Sequence, residues 1–100
     1  MDIKSLTTEM NNFVTAQGWY EPDSPKPQTL RNLAVSLSLE TAEVLEHFQW
    51  NEDEIDEDEL GQELADVALY LLQIASVAKI DLEQAILRKL EHNYGRNWEG

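Results

Sequence analysis

Apolar side chains recur at intervals of three and four residues along most of the chain, which is the spacing of one face of an α-helix. The repeat divides the sequence into four segments, residues 2–17, 30–50, 59–79 and 82–94. No segment shows the alternation of apolar and polar residues that is typical of a β-strand. The pattern therefore predicts an all-α fold of four helices, arranged as a four-helix bundle.

The residues between these segments agree with the predicted helix limits. Gly18 follows the first segment, and the prolines all fall within residues 18–28, which predicts a loop there. Thr29 and Asp81 stand directly before the second and fourth segments, where a side-chain oxygen commonly caps a helix. Gly95 is expected just beyond the end of the fourth helix. We expect residues 1–100 to form one domain.

The apolar faces also predict the residues that point into the core. They include Leu30, Leu33, Val44 and Leu45 in the second helix, Leu64, Val67 and Leu71 in the third, and Leu82, Ile86 and Leu90 in the fourth. The third helix carries further apolar residues, Leu69 and Leu72, away from this face. We therefore expect the third helix to be buried on several sides.

The second helix has a further apolar patch on its opposite side, formed by Val35, Leu39 and Ala42. A chain of 100 residues is too short to cover both sides of this helix by itself. We expect a second copy to pack there and complete the bundle, as a homodimer or homotetramer. Trp98, near the C-terminal end, is a further candidate for contact with a neighbouring subunit.

Twenty acidic residues against seven basic ones give the chain a net charge of −13. This charge argues against binding to nucleic acid or to an anionic membrane. The chain starts without the apolar core of a signal peptide and has no stretch long enough to span a membrane, so we expect a cytoplasmic protein. Because cysteine is absent, a metal ion would be bound by oxygen or imidazole. Residues 51–58 are mostly acidic and are predicted to form a loop.

Two predicted helices carry the same pair of acidic residues beside their apolar faces. Glu40 and Glu43 are three residues apart in the second helix, and Glu63 and Asp66 have the same spacing in the third. In antiparallel helices the four carboxylates would converge and repel one another unless a cation lay between them. Mg²⁺ or Mn²⁺ would suit such a site, because hard cations prefer oxygen ligands. Acidic pairs are also common on helix surfaces, so the spacing alone leaves both interpretations open.

The residues around these pairs form motifs in a fixed order between about residues 28 and 96. The motifs are Arg31-Asn32-Leu33, Glu40-Thr41-Ala42-Glu43, Phe48-Gln49-Trp50, Glu63-Leu64-Ala65-Asp66-Val67 with Tyr70, and Lys89 with Asn93, Tyr94 and Arg96. Together they resemble the MazG-like nucleotide pyrophosphatases, and most closely the dCTP pyrophosphatase branch of that family. The resemblance implies an all-α, Mg²⁺-dependent enzyme that cleaves a nucleoside triphosphate to a monophosphate and pyrophosphate. It also implies a dimer or tetramer whose paired subunits build the active site together.

The resemblance further implies roles for individual residues. The metal ligands would be Glu40, Glu43, Glu63 and Asp66. Lys89 and Asn93 would contact phosphate or sugar, with Tyr70 near the nucleotide and Trp50 against the base. For the chemistry, Arg31 and Arg96 are further candidate phosphate partners, and Glu40 or Glu43 is the candidate acceptor of the proton of the attacking water.

The chain departs from the dCTP-preferring branch at several positions. Gln28 takes the place of a histidine, Ser24 that of a tryptophan, Leu30 that of a proline and Ala42 that of a glycine. These changes leave the metal ligands intact and concern the choice of base, so Gln28 is a candidate base contact. Two alternatives remain, a phosphoribosyl-ATP-type pyrophosphohydrolase and a non-catalytic acidic helical adaptor. The Phe-Gln-Trp motif argues against the first, and the four carboxylates argue against the second.

Overall fold

The structure, a computed structural model, describes residues 1–50 and 52–96. Its four helices are α1 (Ile3–Ala16), α2 (Leu30–Glu46), α3 (Glu57–Val77) and α4 (Leu82–Tyr94). None of the residues in these two ranges belongs to a strand, so the all-α prediction is confirmed. Within the same ranges, no helix combines the length and apolar character needed to cross a bilayer. Trp98 lies outside the described residues.

Side chains cap the N-terminus of every helix. Thr29 and Asp81 each accept a hydrogen bond from the backbone N–H three residues ahead, at 3.2 and 3.1 Å, which confirms both predicted caps. Asp2 caps α1 in the same way, at 2.7 Å. Asp56 caps α3 by accepting the N–H groups of the second and third residues after it, both at 3.1 Å. Each cap satisfies backbone N–H groups that have no partner within the helix.

The two helix limits next to the acidic segment differ from the sequence prediction. α2 ends at Glu46 instead of residue 50, because the N–H groups of residues 47–49 bond to carbonyls three positions back and tighten the chain into turns. α3 begins at Glu57 instead of residue 59. Its first turn is acidic, and negative charge near a helix N-terminus interacts favourably with the helix dipole. Residues 57 and 58 therefore extend the helix instead of breaking it.

Two of the helices end with a residue in the left-handed conformation. Gly18 has a φ of 76° after α1, as expected for a glycine that stops a helix. After α3 the same role falls to Lys79, with a φ of 59°. Gly95 is different: it directly follows α4, as expected, but it is the C-cap itself instead of the residue after the cap, with a φ of −84°.

α3 is the central helix. It packs along α2 on one side and along α1 on another, while α4 contacts α1. α2 and α3 are antiparallel, because Gln28, before α2, bonds to Gln73 near the end of α3. At the opposite end, His47 after α2 shares a cleft with Gln62 in the early part of α3. The pairing brings the carboxylate-bearing turns of α2 and α3 to the same level.

The buried core is small. Met10 and Val14 of α1 pack with Leu72 of α3, and the partly buried Ile3, Trp19 and Leu82 surround them. Leu33 and Ala75 are the other buried apolar residues among those that the structure describes. The radius of gyration is 16.3 Å, which exceeds the value of about 13 Å typical of a compact domain of this length. The chain is therefore extended and leaves much apolar surface uncovered.

Several residues predicted to point into the core are exposed in the single chain. They include Leu30, Leu45, Leu64, Leu71, Ile86 and Leu90, whose exposed fractions lie between 42% and 69%. No residue of α4 is buried. The physical reason is that α4 contacts mainly α1, so no other described helix covers the apolar side chains of its other face. The predicted second patch on α2 is also exposed, at 54% for Val35 and 63% for Leu39.

Candidate metal and nucleotide site

Three carboxylates meet between α2 and α3. Glu40, Glu43 and Glu63 each place one carboxylate oxygen within 4.8 Å of the corresponding atoms of the other two. The spacing of three residues puts Glu40 and Glu43 on the same side of α2. Glu63 faces them from α3. Glu40 and Glu63 are half-buried, whereas Glu43 is exposed.

The close approach of these carboxylates shifts two of their pKa values. Loss of hydration raises the pKa of Glu40, and a hydrogen bond with Glu43 and the charge of Glu43 raise it further. The pKa of Glu63 is raised first by its hydrogen bond with Glu43, and then by burial and by the charge of Glu43. The positive charge of His47 opposes this rise. Both shifts show that the site disfavours its own negative charge.

Two oxygens of the cluster lack a hydrogen-bond donor among the described residues. Oε2 of Glu40 and Oε2 of Glu63 are buried and accept no hydrogen bond from the described residues. A buried carboxylate oxygen without a donor is costly in free energy. A hard divalent cation would satisfy both oxygens and neutralise the cluster. The residues present therefore fit a divalent metal ion.

Asp66, the fourth predicted ligand, lies beside the cluster. It follows Glu63 by one turn on α3, and its charge helps to raise the pKa of both Glu40 and Glu63. Its carboxylate does not belong to the group of three mutually close oxygens. Its side chain is exposed and lines a neighbouring groove together with Tyr70. The structure thus gathers three of the predicted ligands and places the fourth next to them.

An acidic cleft of about 680 Å³ opens on one side of the cluster. Glu43, Glu63 and His47 line it, and the remaining wall consists of Glu46, Glu54, Asp56, Glu59 and Gln62. In the sequence, His47 lies one turn after Glu43. The structure places it in the cleft, where it acts on the pKa of Glu63. The cleft is wide enough for a hydrated cation and polar groups of a ligand.

A second cavity of about 370 Å³ lies further along the groove between α2 and α3. Ser36, one turn before Glu40, and Tyr70, one turn after Asp66, belong to its wall. Its other aromatic and polar lining residues are Trp19, Lys26, Gln28, Asn32 and Gln73. We call this cavity the amide pocket. Aromatic rings and carboxamides together suit a planar ligand with a hydrogen-bonding edge.

The sequence predicted Gln28 and Tyr70 as substrate contacts but missed Gln73 and Lys26. Gln73 is 3% exposed, and its Nε2 donates a hydrogen bond to Oε1 of Gln28 at 2.7 Å. A signal for Gln73 was available, since it continues the stripe of Glu63, Asp66 and Tyr70 along α3. Lys26 stands over the Trp19 ring, 5.0 Å from its centre. No periodicity pointed to Lys26, because it lies in the proline-containing loop.

The other predicted substrate contacts do not belong to the walls of the two cavities. Arg31 is exposed in the first turn of α2, and Trp50 is 88% exposed in the turns after α2. Lys89 and Asn93 belong to α4, and Arg96 follows it. None of these five residues lines the acidic cleft or the amide pocket. Their assignment as substrate contacts stays a prediction.

Comparison with known protein families decides the relationship. The family model described as MazG-like matches residues 35–98, a range that contains Glu40, Glu43, Glu63 and Asp66. The chain belongs to the MazG-like family. The resemblance inferred from the ordered motifs is thereby confirmed.

Individual relatives agree with this family. The chain is 33% identical over 104 residues to dCTP pyrophosphatase 1 of Bos taurus and 32% identical to that of Homo sapiens. The matches cover 95% of this chain but only 57% and 56% of those proteins, so it spans little more than half their length. The crystal structure of a pyrophosphatase from Archaeoglobus fulgidus is similar with a TM-score of 0.76 and 36% identity. That match covers 96% of this chain and 92% of the other, and it shows the MazG-like fold.

Proposed function

We propose that this chain is a Mg²⁺-dependent nucleoside triphosphate pyrophosphatase, which hydrolyses a (d)NTP to the monophosphate and pyrophosphate. The observation that carries the proposal is the cluster of Glu40, Glu43 and Glu63, two of whose oxygens are buried without a donor among the described residues. The relatives named as pyrophosphatases in Bos taurus and Archaeoglobus fulgidus support it. Among the hard cations that fit three carboxylates, Mg²⁺ is the one that commonly serves phosphate chemistry.

The relative position of cluster and amide pocket suits a nucleotide. Ser36 and Glu40 are separated by one turn of α2, or about 5.4 Å along the helix axis. A triphosphate bound over the carboxylates would therefore direct its nucleoside into the pocket. There Gln28 and Tyr70 would contact the base, as the sequence suggested, and Trp19 offers a further aromatic ring. The relatives named dCTP pyrophosphatase make dCTP, or a modified form of it, the first substrate to test.

The chemistry requires water to attack the α-phosphorus while pyrophosphate leaves. When bound, Mg²⁺ would neutralise the charge on the phosphate oxygens. Glu40 or Glu43, whichever is less engaged by the metal ion, accepts the proton of the attacking water. Lys26, at the edge of the amide pocket, adds a positive charge on the path of the nucleotide.

The proposal includes a homodimer or homotetramer as the functional unit. α4 begins beside the end of α3, and about 21 Å of helix separates that end from the turn that carries Glu63. Lys89 and Asn93 on α4 line neither the acidic cleft nor the amide pocket of their own chain, and a second copy is a natural source of such groups. The exposed apolar residues of α2 and α4 provide surface for this contact.

The test is product analysis with a panel of NTPs and dNTPs, with and without Mg²⁺. Release of monophosphate together with pyrophosphate, dependent on Mg²⁺, is the expected result. Release of diphosphate and inorganic phosphate would place the attack at the γ-phosphorus and contradict the proposal. If neither these nucleotides nor modified pyrimidine nucleoside triphosphates are hydrolysed, the non-catalytic adaptor is favoured. Turnover of phosphoribosyl-ATP alone would favour the other alternative.

A further inference from the structure

Gln73 and Gln28 form a hydrogen-bonded pair of carboxamides in the wall of the amide pocket. Nε2 of Gln73 donates to Oε1 of Gln28 at 2.7 Å. Nε2 of Gln28 donates in turn to the backbone carbonyl of Lys26 at 2.6 Å. Gln73 is the only buried polar residue among those that the structure describes, at 3% exposure. Both glutamines line the pocket.

The direction of these two bonds fixes the orientation of both carboxamides. A backbone carbonyl can only accept, so Gln28 must turn its NH₂ group toward Lys26. Its oxygen then faces Gln73, which must present its own NH₂ group. If the Gln28 carboxamide rotated by half a turn, its oxygen would face the carbonyl oxygen of Lys26, which is a contact between two acceptors. Its NH₂ group would face the NH₂ group of Gln73, which is a contact between two donors. The Lys26 carbonyl therefore selects one of the two possible orientations of the Gln28 carboxamide, and the bond from Gln73 holds the carboxamide in that orientation.

We propose that Gln73 is a positioning residue that fixes the Gln28 carboxamide and thereby makes the amide pocket discriminate between amino bases and oxo bases. The proposal rests on the proposed function. A glutamine amide has two N–H groups and two acceptor sites, so after the two bonds described Gln28 keeps one donor and one acceptor. In a fixed orientation, these groups match only one order of donor and acceptor on a base edge. Cytosine and uracil present opposite orders, and so do adenine and hypoxanthine.

A purely structural role for Gln73 would be to fasten the proline-containing loop to α3. The structure provides further bonds for that purpose, and Gln73 also contacts the Tyr20 hydroxyl. Tyr20 in the loop donates to Oδ1 of Asn11 at 2.7 Å, and Nδ2 of Asn11 donates to Oγ of Ser76 on α3 at 2.9 Å. This second set of bonds does not involve Gln28. It supplies a matched control, because its loss would loosen the loop without releasing the Gln28 carboxamide.

The experiment compares kcat/KM for two pairs of nucleotides, dCTP with dUTP and dATP with dITP, whose members differ in the base edge. The variants are Gln73→Met, which keeps the length of the side chain without its amide, Gln28→Ala and the double variant. We expect the wild-type protein to prefer one member of at least one pair by about tenfold or more, the effect of one mismatched hydrogen bond. Gln73→Met should bring that ratio close to one. The double variant should show the same ratio as Gln28→Ala, because Gln73 is proposed to affect the ratio through Gln28.

The control Asn11→Ala should lower the melting temperature while it keeps the wild-type ratio. The proposal is overturned if wild-type ratios are near one for both pairs, or if Gln73→Met reduces kcat/KM by the same factor for both members of a pair. Dissociation constants of the non-hydrolysable α,β-imido analogues give the same ratios without turnover. Absence of turnover accompanied by discriminating binding would refute the pyrophosphatase function and leave the role of Gln73 standing. Binding without discrimination, or no binding of any analogue, would refute that role.

Discussion

Glu40, Glu43 and Glu63 are held together by the backbone geometry of two packed helices, and not by attraction between the side chains themselves. Their mutual effect is unfavourable, as the raised pKa values of Glu40 and Glu63 show. The packing of α2 on α3 must therefore hold them against this repulsion until a cation is bound. At the residue scale, repulsion among the carboxylates lowers the stability of the folded protein, and the same repulsion gives the site a strong preference for a cation.

We expect Mg²⁺ to raise the melting temperature, and to do so less at mildly acidic pH than at neutral pH. A pKa that is raised on folding means that the folded protein binds the proton more tightly than the unfolded chain. The unfavourable effect of Glu40 and Glu63 is thus fully present above their raised pKa values and is relieved as pH falls through them. Protons then compete with Mg²⁺, whose stabilising effect follows mass action. Thermal unfolding in MgCl₂ and in EDTA over this pH range is the measurement.

The control for this experiment is the double variant Glu40→Gln/Glu63→Gln. Its melting temperature should not respond to Mg²⁺, and in EDTA it should show a weaker gain of stability on acidification than the wild-type protein. The remaining pH dependence would come from the overall net charge of −13. An unchanged response to Mg²⁺ in this variant would place the cation elsewhere.

Glu63→Gln alone should abolish most of the turnover while the fold is kept. The carboxamide has nearly the same shape but no charge, so a metal ligand is lost and one like charge is removed from the cluster. We expect kcat to fall by about a hundredfold or more, since even indirect partners of a metal commonly contribute ten- to a hundredfold. Glu21→Gln, the same change in the exposed loop after α1, should have wild-type kinetics. Full activity of Glu63→Gln would contradict the metal assignment.

The sequence predicted this cluster because its geometry depends on two simple quantities, the spacing of three residues within a helix and the antiparallel pairing of adjacent helices. The Gln28–Gln73 pair depends on something the sequence pattern does not contain. Residues 18–28 have no periodicity, so their path across the groove, which brings Gln28 to Gln73 at 2.7 Å, follows only from the packed structure. The amide pocket was therefore predicted only in part.

At the scale of the elements, local rules fixed the helix beginnings better than the helix ends. Thr29 and Asp81 were identified as caps because a side-chain oxygen before an apolar repeat has a direct physical role. The end of α2 was placed too late because its motif residues continue the apolar repeat after the helical hydrogen bonds have stopped. The start of α3 was placed too late because repulsion among its carboxylates was weighed above their favourable interaction with the helix dipole.

The two left-handed helix ends give an opposing pair of stability predictions. Lys79→Gly should raise the free energy of unfolding by up to about 1 kcal/mol. The left-handed conformation costs about 1–2 kcal/mol for a residue with a side chain, and glycine removes this cost. Part of the gain is lost because glycine loses more backbone entropy on folding. Gly18→Ala should lower the free energy of unfolding by about 1 kcal/mol, because a methyl group there meets open space but cannot adopt a φ of 76° without strain. Denaturant unfolding in EDTA measures both. A change of the same sign in the two variants would contradict this account.

At the scale of the whole molecule, the single chain leaves much of its apolar surface exposed to solvent. Its radius of gyration is 16.3 Å, and α4 contains no buried residue. Periodicity predicted an apolar face for each helix, but residues such as Leu90 remain 49% exposed because none of the four helices in the described part of the chain covers them. Periodicity identifies which side of a helix is apolar. It does not identify whether the covering surface belongs to the same chain or to another copy.

Leu39→Glu tests whether a second copy covers the outer face of α2. Leu39 is 63% exposed in the single chain, so the change should hardly affect the stability of a monomer. In an oligomer that buries Leu39, an unpaired charge would weaken the contact by a few kcal/mol, or about a hundredfold in the dissociation constant. Sedimentation should then show a smaller species that keeps the helical circular dichroism of the wild-type protein.

Turnover of the Leu39→Glu protein decides whether assembly also completes the site. If Lys89 and Asn93 reach the phosphates from a partner copy, kcat/KM should fall together with the oligomer and recover as protein concentration restores it. Asn12→Glu adds the same charge at an exposed polar position of α1 and should change neither assembly nor turnover. A dissociated Leu39→Glu protein with full activity would show that one chain holds a complete site. The phosphate contacts would then have to come from groups near the cluster, of which Lys26 is the first to test.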